Sequence, residues 1–353
     1  MATLTETAYY TKKIMQWSAI GLVGFLFLRF FVMAGIEAWK NAHPEPIAPP
    51  NLAYGTLPEI VFPTQTPSST FTYTLENIEG KPPNATPSAK VYFMPKKAAS
   101  LLAPAKAREF AQKLGFTDDA QLLSPTRYLF TDPNTTLRTL DLDIINLNFS
   151  LKYDFTKDLS IFDNANLPNQ DRAISEAKNF LQLNRLFSEE MINGKTATTL
   201  LKLNKNTMEF TRANSLSESD AVRIDFFRKD LDSIPVLPPG FDKSFTHIIL
   251  SPAAEQNKRI IEIGYNYQPV DYNDFATYPL ISGTTAWKAL GEGKATVVST
   301  GTNQGQVVIR KIYLGYFDSL QVQNYLKPIF VFEGDNGFIA YLSAINTEPT
   351  PTP

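Results

Sequence analysis

From Ile14 to Ile36 the chain is almost entirely apolar, and this run near the N-terminus limits what everything after it can be. About 20 such residues wound as an α-helix match the roughly 30 Å hydrocarbon core of a bilayer. Trp17 and Trp39 lie near its ends, with Lys12 and Lys13 before it and Lys40 after it, as at a membrane interface. The run exceeds the ~7–15 residues of a signal-peptide core, and no small-x-small cleavage site follows closely, so retention is expected. The expected order is therefore a cytoplasmic tail (1–13), a transmembrane helix in the lipid bilayer (14–38) and a large extracytoplasmic remainder at the plasma membrane.

Arg29 sits well inside the span, where a central arginine costs roughly 2.5–3.5 kcal/mol on insertion scales. Leu22, Val23, Phe25, Leu26, Phe27 and their neighbours offset that cost. The guanidinium either snorkels to a headgroup or pairs with a polar group on a partner's helix. Ser18, Gly21 and Gly24 recur at three-residue spacing, which permits close helix contact. Gly21, Gly24 and Arg29 are the candidate contacts to a membrane partner.

Over all 353 residues, 43% apolar and 19% charged describe a globular chain with a core to bury. A net charge of -2 offers no positive field for nucleic acid. Zero cysteines exclude disulfides, thiolate metal sites and thiol nucleophiles. Seven prolines between Pro44 and Pro67 mark a stiff linker (39–69) holding the domain off the membrane. Residues 346–353 form a Pro/Thr tail expected to be disordered.

The folded part begins near Thr70, where Phe71, Tyr73 and Leu75 alternate with threonines as in a half-buried strand, and Lys90 to Met94 reads as a second one. Pro104 opens a helix with Ala107, Phe110, Ala111 and Leu114 on one face and Gly115 as its stop. Strands follow at Tyr128 to Thr131, Thr135 to Asp141 and Ile145 to Tyr153. Ala177-Lys178-Asn179-Phe180 echoes Ala107-Arg108-Glu109-Phe110, and Val222 to Phe226 echoes Phe149 to Tyr153. These echoes predict an α+β fold of duplicated helix-on-antiparallel-sheet modules, at 70–165 and 166–345. In the second, Gly283 to Leu290 reads as a helix, Val307 to Phe317 as a strand, and Leu326 to Phe332 and Phe338 to Ile345 as a hairpin closed by Gly334-Asp335-Asn336-Gly337.

The strings Ala286-Trp287-Lys288-Ala289-Leu290-Gly291-Glu292-Gly293, Ile312-Tyr313-Leu314-Gly315-Tyr316-Phe317 and Tyr325-Leu326-Lys327-Pro328-Ile329-Phe330-Val331-Phe332 resemble the C-terminal end of the YycH/YycI regulators and related PepSY-type domains. The resemblance covers residues 286–345. It implies an N-terminal anchor, an extracytoplasmic α+β domain and action by binding, several such proteins modulating a sensor histidine kinase.

Catalytic signals are weak. His43 falls in the linker and His247 in an apolar strand, neither with a metal-ligand neighbour at helical or strand spacing. Asp141 and Asp143 share the solvent face of a strand, and Asp118-Asp119 and Glu189-Glu190 fit solvated loops or helix ends. Gly291-Glu292-Gly293 and Gly301 to Gly305 read as turns rather than a phosphate cradle. No cofactor, metal or catalytic residue is expected. The expected role is a non-catalytic regulatory module in the bacterial envelope, set against a hydrolase or glycan binder whose site is built from dispersed acidic residues. Two converging carboxylates in a concave pocket would favour the enzyme, and a filled core with an exposed edge strand the binder.

Overall fold

The computed structural model describes residues 4–42, 49–62, 71–84, 86–163, 166–303 and 305–346. They fall into two units, Met1–Ala48 and Pro49–Pro353. The first is one helix, α1 (Leu4–Ala42), which extends past both expected ends of the span. Its segment Trp17–Ile36 has a mean hydropathy of 2.2 and none of it is buried, so it is long and apolar enough to cross a membrane.

The second unit opens with β1 (Thr72–Leu75), β2 (Ser88–Phe93), α2 (Ala103–Lys113), β3 (Gln121–Ser124), β4 (Arg127–Asp132), β5 (Thr135–Asp143) and β6 (Phe149–Tyr153). Next come α3 (Gln170–Leu183), α4 (Glu189–Ile192), β7 (Thr196–Asn204), β8 (Glu209–Arg212), β9 (Ala221–Phe226), β10 (Val236–Leu237) and β11 (Thr246–Leu250). The chain ends with α5 (Gln256–Arg259), β12 (Ile260–Tyr265), β13 (Asp271–Pro279), α6 (Gly283–Gly291), β14 (Thr296–Ser299), β15 (Gln306–Phe317), β16 (Tyr325–Gly334) and β17 (Ile339–Ser343).

Nine strands form one antiparallel sheet in the order β3-β4-β5-β6-β12-β11-β9-β7-β8. Helix α2 buries Ala107, Phe110 and Ala111, and α3 buries Ala173, Ala177 and Leu181, in one core with Leu140, Leu151, Ile263, Ile248 and Ile224. The apolar i, i+3, i+4 spacing of each helix puts these residues on one stripe. Gly115, at φ +90°, takes the left-handed conformation that stops α2.

Helix then antiparallel strands thus occurs twice on one sheet, and the echoed pairs fall on α2 with α3 and β6 with β9. Strand order is not copied. In the first module the strands run inward one after another, whereas β7 and β8 form an outer hairpin and β9 returns inside it. The expected strand from Ile145 begins only at Phe149, because Leu147 turns with φ +60° and Asp143 Oδ1 accepts from Ile145 N at 2.8 Å.

The second sheet has eight strands, with β1-β15-β16-β17-β14 as its main path. Strand β10 also lies along β15, and β2 joins β16 to β13. The sequence boundary at residue 70 is therefore corrected: β1 and β2 belong to this sheet, β1 running parallel to β15 more than 200 residues on. Strand β16 is apolar to both sides. Phe330 and Phe332 pack with Ala286 and Leu290 of α6, while Ile329 and Val331 pack with Phe317 and Tyr341. At the turn into β17, Asn336 (φ 57°) and Gly337 (φ 81°) supply the two left-handed positions of a tight hairpin.

The linker is also corrected, since residues 49–62 are docked. The Asn51 and Leu52 amides donate to Thr277 O at 3.1 and 3.2 Å, and Tyr278 OH donates to Gly55 O at 2.8 Å. Lys327 Nζ, on a buried residue, donates to Pro58 O at 2.6 Å. Phe62 packs edge-on against Phe317 at 4.9 Å. Pro-rich backbone, extended and lacking some of its N–H groups, makes a strap over an apolar sheet face as readily as a free spacer. Residues 43–48 and 63–70, and the tail from Thr347, lie outside the described residues.

Candidate functional site

On α1 the candidate contacts do not share one face. At about 100° per residue, Gly21 and Gly24 stand about 60° apart, while Arg29 is about 80° from Gly21 and about 140° from Gly24. No heavy atom lies within 4 Å of a Cβ built on either glycine. A partner helix seated over both glycines would leave Arg29 outside its seam.

In the nine-stranded sheet, the face opposite α2 and α3 is ordered in cross-strand rows. One runs Thr139, Lys152, Glu262, Ile249, Arg223, Thr199, and the next Asp141, Ser150, Gly264, His247, Asp225, Ala197. Arg223 grips the buried Asp225 with Nη2 to Oδ1 at 2.8 Å, and Asp225 Oδ1 also accepts from Ser244 N at 2.8 Å. His247 Nδ1 stands 3.2 Å from Ser244 O and its Nε2 3.6 Å from Glu262 Oε1. The His247 imidazole is the chief influence holding the Glu262 carboxyl below its ordinary range, against the opposing effect of burial. Lys152 Nζ reaches Glu262 Oε1 at 4.0 Å from the other side.

Beside Lys152 and Glu262 opens a groove of about 500 Å³, lined also by Leu137, Asp154, Phe155 and Lys157. Its ammonium and carboxylate groups are paired, Lys157 with Asp154 at 2.9 Å. Mixed charge beside apolar carbons suits a peptide or protein surface better than a single strong ion. Sequence periodicity placed His247 on its strand but could not bring Glu262 or Lys152 beside it, because they arrive from β12 and β6.

A third cluster lies where the two sheets meet. Arg228, just past β9, hydrogen-bonds Glu190 of α4, Asp318 Oδ2 at 2.8 Å and Gln268 O at 2.5 Å, and stacks over Tyr267 at 4.8 Å. Burial opposes the charge on Arg228, yet the two carboxylates outweigh it and raise its pKa, whereas burial pushes the Asp318 carboxyl up. Glu190, expected at a solvated helix end, is instead 5% exposed. The adjoining cavity holds about 20 Å³, room for one water and no substrate. This cluster joins the sheets.

The two carboxylates of the Asp141-x-Asp143 pattern have structural partners. Asp141 pairs with Arg127 at 2.6 Å, and Asp143 accepts from Ile145 N and Asn146 Nδ2. Tyr316, Phe317, Phe330 and Phe332 are core. His43 lies outside the described residues. Among the described residues no group of three or more His, Cys, Asp or Glu side chains could hold a metal ion.

No protein-family model matches the chain, and no curated protein is similar to it. Solved structures also match it, among them the following two. An uncharacterised protein from Eubacterium rectale shares 13% identity over 80% of this chain and 91% of its own, with a TM-score of 0.42. The YpeB C-terminal domain of Bacillus megaterium shares 12% identity over 71% of this chain and 95% of its own, with a TM-score of 0.29. Both are loose superpositions, and the likeness to the YycH/YycI regulators rests on residues 286–345 alone.

Proposed function

We propose that the chain is a membrane-anchored, extracytoplasmic binding protein that regulates a membrane or envelope partner without catalysing a reaction. A sensor kinase is the partner class that the YycH/YycI resemblance implies. The observation that carries the reading is the apolar segment Trp17–Ile36, long enough to cross a membrane and with none of its described residues buried, in a chain that also has a two-sheet domain. Support also comes from the filled cores of that domain and from the strand β3, exposed at every residue along one sheet edge. The groove beside Lys152 and Glu262 is the surface for the partner.

The test is recovery of the tagged full chain from its native membrane in mild detergent. An envelope or membrane protein should co-purify in near-stoichiometric amount and be lost with Lys152→Glu, whose exposed side chain leaves folding intact. Recovery of the chain with no such protein, or with one that Lys152→Glu leaves in place, overturns the assignment of the groove.

A further inference from the structure

Both nitrogens of the His247 ring face acceptors. Nδ1 stands 3.2 Å from Ser244 O, a carbonyl that can only accept, so the neutral ring carries its hydrogen on Nδ1. Nε2 is then a bare lone pair. It is buried, has no hydrogen-bond partner among the described residues, and lies 3.6 Å from Glu262 Oε1. Two acceptors thus oppose each other with no hydrogen between them, and a single proton added to Nε2 turns that opposition into a charge-assisted contact. Lys152 Nζ reaches the same oxygen, Glu262 Oε1, at 4.0 Å. The other charged groups beside the ring, Arg223 and Asp225 of β9, are paired with each other, and Asp225 also accepts from Ser244 N.

Imidazolium and ammonium therefore compete for one oxygen. We propose that His247 is a proton-operated switch on the groove: a proton on Nε2 draws Glu262 Oε1 to the imidazolium and leaves the Lys152 ammonium for an acidic segment of the partner. The proposal rests on the reading of the groove as the partner surface. Imidazole is the side chain that ordinarily exchanges a proton between about pH 5 and 8, where carboxylates and ammonium groups keep their charge. With the ring neutral, Lys152 and Lys157 are matched by Glu262 and Asp154 across the groove. With the ring charged, Glu262 is matched by the imidazolium instead, and the groove gains one positive charge. Leu137 and Phe155 lie along the same groove, so the segment that complements it alternates acidic and apolar residues.

Two measurements on the full chain in detergent test the switch. The chain has only two histidines, so nitrogen NMR of labelled imidazoles in the parent and in His43→Gln isolates the His247 ring. At alkaline pH its hydrogen should be on Nδ1, and Nε2 should gain one as the pH falls. A neutral ring with its hydrogen on Nε2 would already bond Glu262, and overturns the proposal. The second measurement is binding of a labelled synthetic peptide of alternating aspartate and leucine, whose carboxylates stay ionised above about pH 5. The peptide should bind about two- to five-fold more tightly at about pH 5.5 than at about pH 7.5, the worth of one exposed ion pair. His247→Gln and Glu262→Gln should each flatten that dependence, and Lys152→Met should bring binding at the lower pH down to the level of the higher. Equal affinity of the parent at both pH values overturns the switch and leaves the groove standing. No binding at either pH, or binding that Lys152→Met leaves unchanged, overturns the proposal through the groove itself.

Discussion

The imidazole of His247 lies over the α-carbon of Gly264, its cross-strand neighbour, so closely that a Cβ there would stand 2.4 Å from Cε1 and 2.8 Å from Nδ1. Glycine at 264 is therefore what lets the imidazole settle on the sheet beside Glu262. Gly264→Ala should cost about 1–3 kcal/mol, as overpacking does. In a His247→Ala background the cost should fall by at least about 0.5 kcal/mol, since the pair is in contact. It should not vanish, because Phe245 O would still lie 3.0 Å from the new methyl. Thermal melts of the four proteins check the cycle, and strictly additive losses would separate the two residues.

Arg228 holds two buried carboxylates, so its removal exposes a burial cost rather than a lost attraction. Arg228→Met should destabilise the domain by about 3–5 kcal/mol. Neutralising both partners as well, with Glu190→Gln and Asp318→Asn, should recover most of that loss. If the triple variant melts as low as the single one, the joint between the sheets depends on shape rather than charge.

Lys327 makes stability depend on pH in a defined direction. Burial lowers its pKa from 10.5 to about 8. Between those values the unfolded chain holds a proton that the folded chain lacks, so stability rises with pH there. Below about 8 both states carry the charge and the penalty is complete, at most about 3 kcal/mol. Lys327→Met should therefore melt higher than the parent at pH 7, less the value of the bond to Pro58 O. The difference between the two proteins should shrink from pH 8 to 10. A difference that does not change with pH would mean that the ammonium is not desolvated.

Local patterns were legible and distant partners were not. The i, i+3, i+4 stripe of α2 and the Asn336-Gly337 turn of the last hairpin lie within single elements, where period and turn chemistry decide. Glu190 gave no such signal, because its partner Arg228 lies 38 residues on and joins it to Asp318, another 90 beyond. Strand β3 escaped notice as a four-residue strand whose paired leucines break alternation. The proline-rich strap read as a spacer because its fixed φ serves both. The groove could not be foreseen at all, being assembled from β5, β6 and β12.

Arg29 separates recognition within the bilayer from simple tethering. Arg29→Leu should improve insertion of α1, removing roughly 2.5–3.5 kcal/mol of central-arginine cost. If the guanidinium pairs with a partner carboxylate, co-purification should fall at equal membrane abundance. Undiminished recovery would assign all recognition to the outer domain, in keeping with the angular separation of Arg29 from Gly24.

A regulator of this kind must hold its large domain outside the cytoplasm, and the absence of cysteine lets that orientation be read with single labelled positions. Single cysteines at Thr5, ahead of the span, and at Ser100, an exposed site ahead of α2, are treated in intact cells with a membrane-impermeant maleimide. With the large domain outside, Ser100→Cys is labelled at once and Thr5→Cys only after the membrane is opened. Protection of Ser100→Cys in intact cells, with labelling on lysis, would contradict it.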